Sequence, residues 1–223
     1  MKNKIILILS AILILLTTFA LINNNSNDSI KFKLEYEKLN NKDNGYGNNY
    51  LTLNIDINNK IKYSSFKEIE KILTNDTGVI YFGFPECPWC RNMIEPLLSA
   101  ANESEIKTIY YFNAKDIRDV KKLNENNEII TEKEGTEEYK KLIDLLYDNL
   151  GEYEGLNDKT IKRLYFPTVV FVKEGKIKNI HIGTLDEQKN PFKPLDEKQK
   201  NNLKNLYLKY ISSIKSSQCD DKC

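Results

Sequence analysis

Apolar residues change their spacing several times along this chain, and each spacing predicts a different element. Ile5 to Ile22 is an uncharged, almost wholly apolar run of 18 residues behind Lys2 and Lys4. As a helix it would span about 27 Å at ~1.5 Å per residue, close to the ~30 Å of a bilayer's hydrocarbon core. That is longer than the apolar stretch of an ordinary cleaved signal, and Thr18-Phe19-Ala20 does not form a small-residue cleavage site. The expectation for residues 1–24 is an uncleaved membrane anchor, with a cleaved signal peptide as the alternative. Both readings keep the two lysines inside and export everything after residue 24.

Residues 25–60 begin with a polar linker. Ile30, Phe32, Leu34 and Tyr36 then alternate with Lys31, Lys33, Glu35 and Glu37, and Leu51, Leu53, Ile55 and Ile57 alternate again after a Gly- and Asn-rich loop. A period of two is the mark of a half-buried strand, so an N-terminal β-hairpin extension is predicted here.

From residue 61 onward the periods interleave. Ser64 or Ser65 can cap a short helix through Ile72, and Glu68, three residues after Ser65, completes a capping box. Val79–Phe84 reads as a buried strand, Trp89–Ala101 as an amphipathic helix and Thr108–Phe112 as another strand. Asp116–Gly135 is charged and irregular, an exposed insertion within a solvated stretch from Lys115 to Lys141. Glu137–Leu150 carries Tyr139, Leu142, Leu145 and Leu146 at helical spacing. Gly151–Lys162 is a polar loop. Thr168–Val172 and Lys178–Ile182 flank Glu174-Gly175 as a hairpin, and Leu195–Ser213 closes the domain as a helix. The pattern is α/β, a central mixed sheet flanked by helices over 61–215, with a helical and loop insertion before Pro167 and a short tail over 216–223.

Charge narrows the partners. A net charge of +1 over 223 residues supplies no field to draw nucleic acid or acidic lipid. The four cysteines fall into two close pairs, Cys87 with Cys90 and Cys219 with Cys223.

Cys87-Pro88-Trp89-Cys90 stands where the apolar strand meets the amphipathic helix. A thiol there meets unpaired N–H groups and the positive end of a helix dipole, which favour the thiolate. The thiolate is the attacking species in thiol–disulfide exchange, and a second Cys three residues on can release a trapped mixed disulfide. A structural disulfide and half of a zinc site completed by Cys219 and Cys223 are the alternatives. The tail pair is expected to close its own small disulfide, given export and a flexible polar segment; free thiols are the alternative, and exchange of electrons with the first pair is a further role open to it. Pro167 precedes a buried strand, where its missing N–H is tolerated and a cis bond is allowed. Arg91 reads as a solvated helix residue, with electrostatic support of the thiolate as the alternative, His181 as structural, and Trp89 equally as a peptide contact or as ordinary packing.

The order strand–CxxC–helix, strand, helix, then Pro–strand–turn–strand–helix resembles a thioredoxin-like domain. Tyr81-Phe82-Gly83-Phe84-Pro85-Glu86-Cys87-Pro88-Trp89-Cys90-Arg91, the segment Lys115-Asp116-Ile117-Arg118-Asp119 and Glu134-Gly135-Thr136-Glu137 are similar to the exported thioredoxin-like proteins of Gram-positive bacteria that include bacteriocin-transport accessory proteins. The resemblance implies a nucleophile at Cys87, a resolving thiol at Cys90 and a cis-proline at Pro167 facing them, with Pro88, Trp89 and Phe166 touching substrate. It implies an extracytoplasmic thiol–disulfide oxidoreductase acting on protein or peptide thiols and disulfides, a membrane redox partner being one candidate, with no cofactor and no metal. A redox-inactive accessory or binding module of a bacteriocin or secretion system is the alternative. The chain departs from the family at Glu86, where Trp is usual, and at Tyr81, where the family carries a buried acid.

Overall fold

The computed structural model describes residues 27–104 and 106–215. Five strands make one sheet: β1 (Ile61–Tyr63), β2 (Gly78–Phe82), β3 (Ile109–Phe112), and two later strands, β6 (Thr168–Lys173) and β7 (Lys176–Ile182). Their order is β1-β3-β2-β6-β7. β3 runs parallel to both β1 and β2, β6 runs antiparallel to β2, and β7 antiparallel to β6. Helices α2 (Phe66–Thr74), α3 (Pro88–Glu103), α4 (Glu137–Leu146) and α5 (Glu197–Ile214) flank it. This mixed α/β sheet is compatible with a thioredoxin-like arrangement.

The central strand is apolar at every position because both its faces are covered. Val79 and Tyr81 point into one core with Tyr111, Phe171, Met93, Leu97, Leu203 and Tyr207, between the sheet and α3 with α5. Ile80 and Phe82 point into the other, with Ile69, Ile72, Leu142 and Leu146 of α2 and α4. The capping box holds: Ser65 accepts from the Glu68 N–H and the Glu68 carboxylate accepts from the Ser65 N–H. The β6–β7 turn has two central residues, Glu174 and Gly175, at φ +52° and +70°, the geometry that matches strand twist. A Cβ on Gly175 would also lie 2.1 Å from the Thr74 carbonyl oxygen.

The N-terminal hairpin is not formed. Residues 27–37 are helical (α1), and 51–56 run extended without pairing to any strand. Ser29, Phe32 and Tyr36 are buried, while Leu34 is 61% exposed. The Phe32–Tyr36 spacing of four residues satisfies a helix as well as a strand, and the exposure of Leu34 decides for the helix. The extended segment does bury Leu53 and Ile55, but α1 and the turn after it take the part of a neighbouring strand. The Leu53 N–H donates to Asn40 Oδ1 at 3.0 Å and its carbonyl accepts from Asn40 Nδ2 at 2.8 Å. The Ile55 N–H donates to Glu37 at 2.6 Å and its carbonyl accepts from Lys33 at 2.7 Å. Side chains thus satisfy backbone groups that a ladder would otherwise pair.

The insertion is also more regular than its charge suggests. β4 (Val120–Leu123) and β5 (Ile129–Lys133) form a separate antiparallel hairpin. Its exposed face pairs Lys122 with Glu132, so residues that read as solvated coil belong to a regular antiparallel ladder. Helix α4 is shorter than predicted, giving way to a 3-10 turn at Tyr147–Asn149. Among the described residues no helix is long and apolar enough to cross a membrane; the anchor predicted for 1–24 and the Cys219–Cys223 pair lie outside them.

Candidate functional site

Two pieces of chain meet at Cys87. β2 ends at Phe82, residues 83–86 turn, and α3 begins at Pro88 with Cys87 as its cap. Pro suits the first helical position because its missing N–H is one the helix would leave unpaired. The Cys87 sulfur sits where a capping oxygen would, accepting from the Cys90 N–H at 3.2 Å. It therefore faces a backbone donor and the N-terminal end of α3.

The second piece is the start of β6. The Phe166–Pro167 peptide is cis, and Cys87 donates to the Phe166 carbonyl at 3.6 Å. The carbonyl and the sulfur, 79 positions apart in sequence, are thereby neighbours. Phe166 also stacks edge-on against Phe84 at 5.3 Å between ring centres. Pro167 is buried, Pro88 and Trp89 half-exposed. Trp89 and Phe166 line a cavity of about 610 Å³ with Tyr165, Gly183 and Leu185, and Cys87 is not among its lining residues.

The two thiols differ in access. Cys87 is 5% exposed and Cys90 is 0%, and both are free. Burial pushes the Cys90 thiol well above its ordinary range, and neighbouring Cys87 pushes it the same way; the Phe84 backbone and the Tyr81 hydroxyl oppose them. Tyr81 lies under the CxxC turn, its hydroxyl 2.7 Å from that of Tyr36. Gly83 is required by this arrangement, since a Cβ there would lie 2.2 Å from the Tyr81 hydroxyl oxygen.

Arg91 corrects the expectation of a solvated residue. It is 1% exposed. Its guanidinium donates to the carbonyls of Leu51, at 3.0 Å from Nε and 2.5 Å from Nη2, Tyr36 at 2.9 Å and Pro85 at 3.3 Å, and to Asn40 Oδ1 at 2.7 Å. It ties the end of α1 and the extended arm to the turn that carries Cys87. Nothing in the local sequence signals this, because two of its partners lie 40 and 55 positions away.

Sequence reasoning also missed the rim. Arg118, assigned to solvated surface, is half-buried with its guanidinium 5.2 Å from the Phe166 ring centre. Lys115 lies 5.1 Å from the Phe84 ring centre and 3.5 Å from the Glu86 carboxylate. These cations come from the insertion folding back over the site. His181 packs edge-on against Tyr207 at 5.4 Å, and burial lowers its pKa, consistent with a structural role. Among the described residues no group of three or more His, Cys, Asp or Glu side chains could hold a metal ion.

No protein-family profile matches the chain, and no curated protein matches it.

Proposed function

We propose that this protein is a thioredoxin-like thiol–disulfide oxidoreductase of protein or peptide substrates, working outside the cytoplasm on a chain anchored by residues 1–24. The observation that carries the reading is the Cys87 sulfur, capping α3 and 3.6 Å from the Phe166 carbonyl, with Cys90 buried one turn behind it. The order and senses of the five strands support it, as does the likeness of the 81–91 segment to exported thioredoxin-like proteins.

In the reducing direction the Cys87 thiolate attacks one sulfur of a substrate disulfide. A Cys87–substrate bond forms, and the other substrate sulfur leaves with the electron pair and takes up a proton. Cys90 then attacks the Cys87 sulfur and expels the first substrate sulfur, so two electrons pass from the dithiol to the substrate. The oxidising direction is the reverse, and the reduction potential of the pair against its partner sets which runs. An extended substrate strand would lie along the Phe166 backbone with a side chain in the Trp89 cavity, the mode of recognition in which backbone bonds give affinity and a pocket gives selectivity.

The test is turnover of a small disulfide by the purified protein, with Cys87→Ser as the comparison. The proposal expects activity in the wild type and none in the variant. Equal inertness of two folded proteins would overturn it and leave the accessory-module reading.

A further inference from the structure

The cavity bordered by Trp89 and Phe166 carries a charge pattern that the exchange chemistry leaves unused. Its volume of about 610 Å³ lies within the range of small-ligand sites. Three aromatic side chains, Trp89, Tyr165 and Phe166, wall it, and three carboxylates, Glu152, Glu154 and Asp186, border it with no lysine or arginine among its lining residues. All three acids are exposed. Among the described residues none of them forms an ion pair. Two pieces of backbone hold them there. The Tyr165 hydroxyl accepts from the Glu154 N–H at 2.7 Å and donates to the Glu152 carbonyl at 3.1 Å. The Gly183 N–H donates to the Pro167 carbonyl at 2.8 Å, and the Gln188 N–H closes the turn around Asp186 by donating to the Leu185 carbonyl at 2.9 Å. Both acidic segments are thus tied to the stretch that carries the Phe166 carbonyl. The nearest cations lie against rings and do not line the cavity: Arg118 is 5.2 Å from the Phe166 ring centre and Arg163 is 5.8 Å from that of Tyr165.

We infer that this cavity receives a basic side chain, arginine or lysine, standing within about two residues of the cysteine under attack in an extended substrate peptide. This rests on the oxidoreductase reading and adds the class of substrate. Phe166 supplies the reach, because its carbonyl is 3.6 Å from the Cys87 sulfur while the same residue borders the cavity. Two residues of extended chain span about 7 Å, and side chains two positions apart share a face. The aromatic walls suit the apolar stem of an arginine or lysine, and the faces of Trp and Tyr attract its cation. The three carboxylates stay hydrated, so they draw a cation in without the desolvation cost of a buried pair. An acidic side chain in the same place would meet three like charges. Attraction of this solvated kind acts mainly on the rate of encounter and fades with salt.

The experiment uses the reduced full-length protein and short blocked peptides, each with one cysteine held as a mixed disulfide with thionitrobenzoate. Arginine, glutamine or glutamate stands two positions before the cysteine in one series and two positions after it in another. The Cys87 thiolate attacks the peptide sulfur, the Cys87–peptide bond forms, and the coloured thiolate leaves with the electron pair; Cys90 then displaces the peptide thiolate. In low salt the arginine peptide of at least one series is expected to react about 10-fold faster than its glutamate counterpart, with glutamine between them. In about 0.5 M salt the ratio should fall below about threefold. Glu152→Gln, Glu154→Gln and Asp186→Asn combined should bring the low-salt ratio below about twofold. Glu70→Gln, Glu125→Gln and Glu138→Gln combined remove as much charge outside the cavity and should keep the wild-type ratio. Equal rates for the three peptides in both series, a preference for glutamate, or an arginine preference that survives loss of the three cavity carboxylates overturns the inference alone. Release of the coloured thiolate at the wild-type rate in Cys87→Ser overturns the oxidoreductase reading itself.

Discussion

The floor and the rim of the site are built from different physics. Beneath the cysteines, Tyr36, Tyr81, Tyr111 and Tyr207 are buried together, and the one charge among them, Arg91, is neutralised by carbonyl and amide oxygens rather than by a carboxylate. Above them, Lys115, Glu86 and Arg118 keep their charges partly in water. Polar groups on the floor are therefore strong and costly to disturb, because low dielectric and lost solvation magnify each one. Charges on the rim are weak and screened. Cys90 is governed first by its burial, while Cys87, 5% exposed, sits at a helix end below the charged rim.

The largest break in that comparison is Arg91→Met. The substitution roughly preserves length while deleting five hydrogen bonds, leaving the Tyr36, Leu51 and Pro85 carbonyls and Asn40 Oδ1 without that donor. A loss of about 3–5 kcal/mol is expected in chemical denaturation. Arg91→Lys should recover only part of it, because a point-charge ammonium cannot reach a fork of acceptors at once. A loss below about 1 kcal/mol would mean that the arm 27–60 is not held through this residue.

How much of this could be read in advance differs between the two regions. The CxxC cap was legible because its signals are local: an apolar run, then Pro at the first helical position. The alternation of Val79 and Tyr81 with Ile80 and Phe82 likewise sorts the two cores. The cis Phe166–Pro167 bond followed from the order of elements once the resemblance was seen. The N-terminal arm was misread because a four-residue spacing fits both periods, and because its extended half is satisfied by side chains rather than by a strand. The phenolic floor and the rim cations escaped notice for a common reason. Tyr36 and Tyr81 are 45 positions apart, and Arg118 reaches Phe166 only after the insertion folds back. Local pattern carries no record of such closures.

A middle-sized effect sharpens the floor. Burial holds the folded Cys90 thiol above its unfolded value of ~8.5. Below that pH both states keep the proton, and the group's contribution to stability is fully present. Above it the unfolded chain releases its proton first, so reduced protein loses stability until the pH passes the folded value. In a Cys87→Ala background, adding Cys90→Ala should remove a slope of up to about 1.4 kcal/mol per pH unit above pH ~8.5. The measurement is denaturant unfolding between pH 7 and 9.5. Parallel curves for the two proteins would show that Cys90 ionises in the folded state as easily as in water, and the contrast with the rim would fail.

The smallest effect belongs to the rim, and its smallness is the point. Glu86 and Lys115 are 3.5 Å apart with side chains 42% and 40% exposed. An ion pair so solvated is worth about 0–1 kcal/mol, so Glu86→Gln should change stability by less than about 0.5 kcal/mol. Its field at Cys87 can still be read kinetically. Removing the negative charge beside the sulfur should speed alkylation by iodoacetate relative to neutral iodoacetamide, by roughly threefold or less at low salt. At 1 M salt, where the screening length falls to ~3 Å, the difference should vanish. The two reagents share a mechanism and differ in charge, so their ratio isolates the electrostatic part from any change in access. A tenfold or salt-insensitive change would mean that Glu86 touches the thiol directly, and that the rim belongs to the same dry environment as the floor.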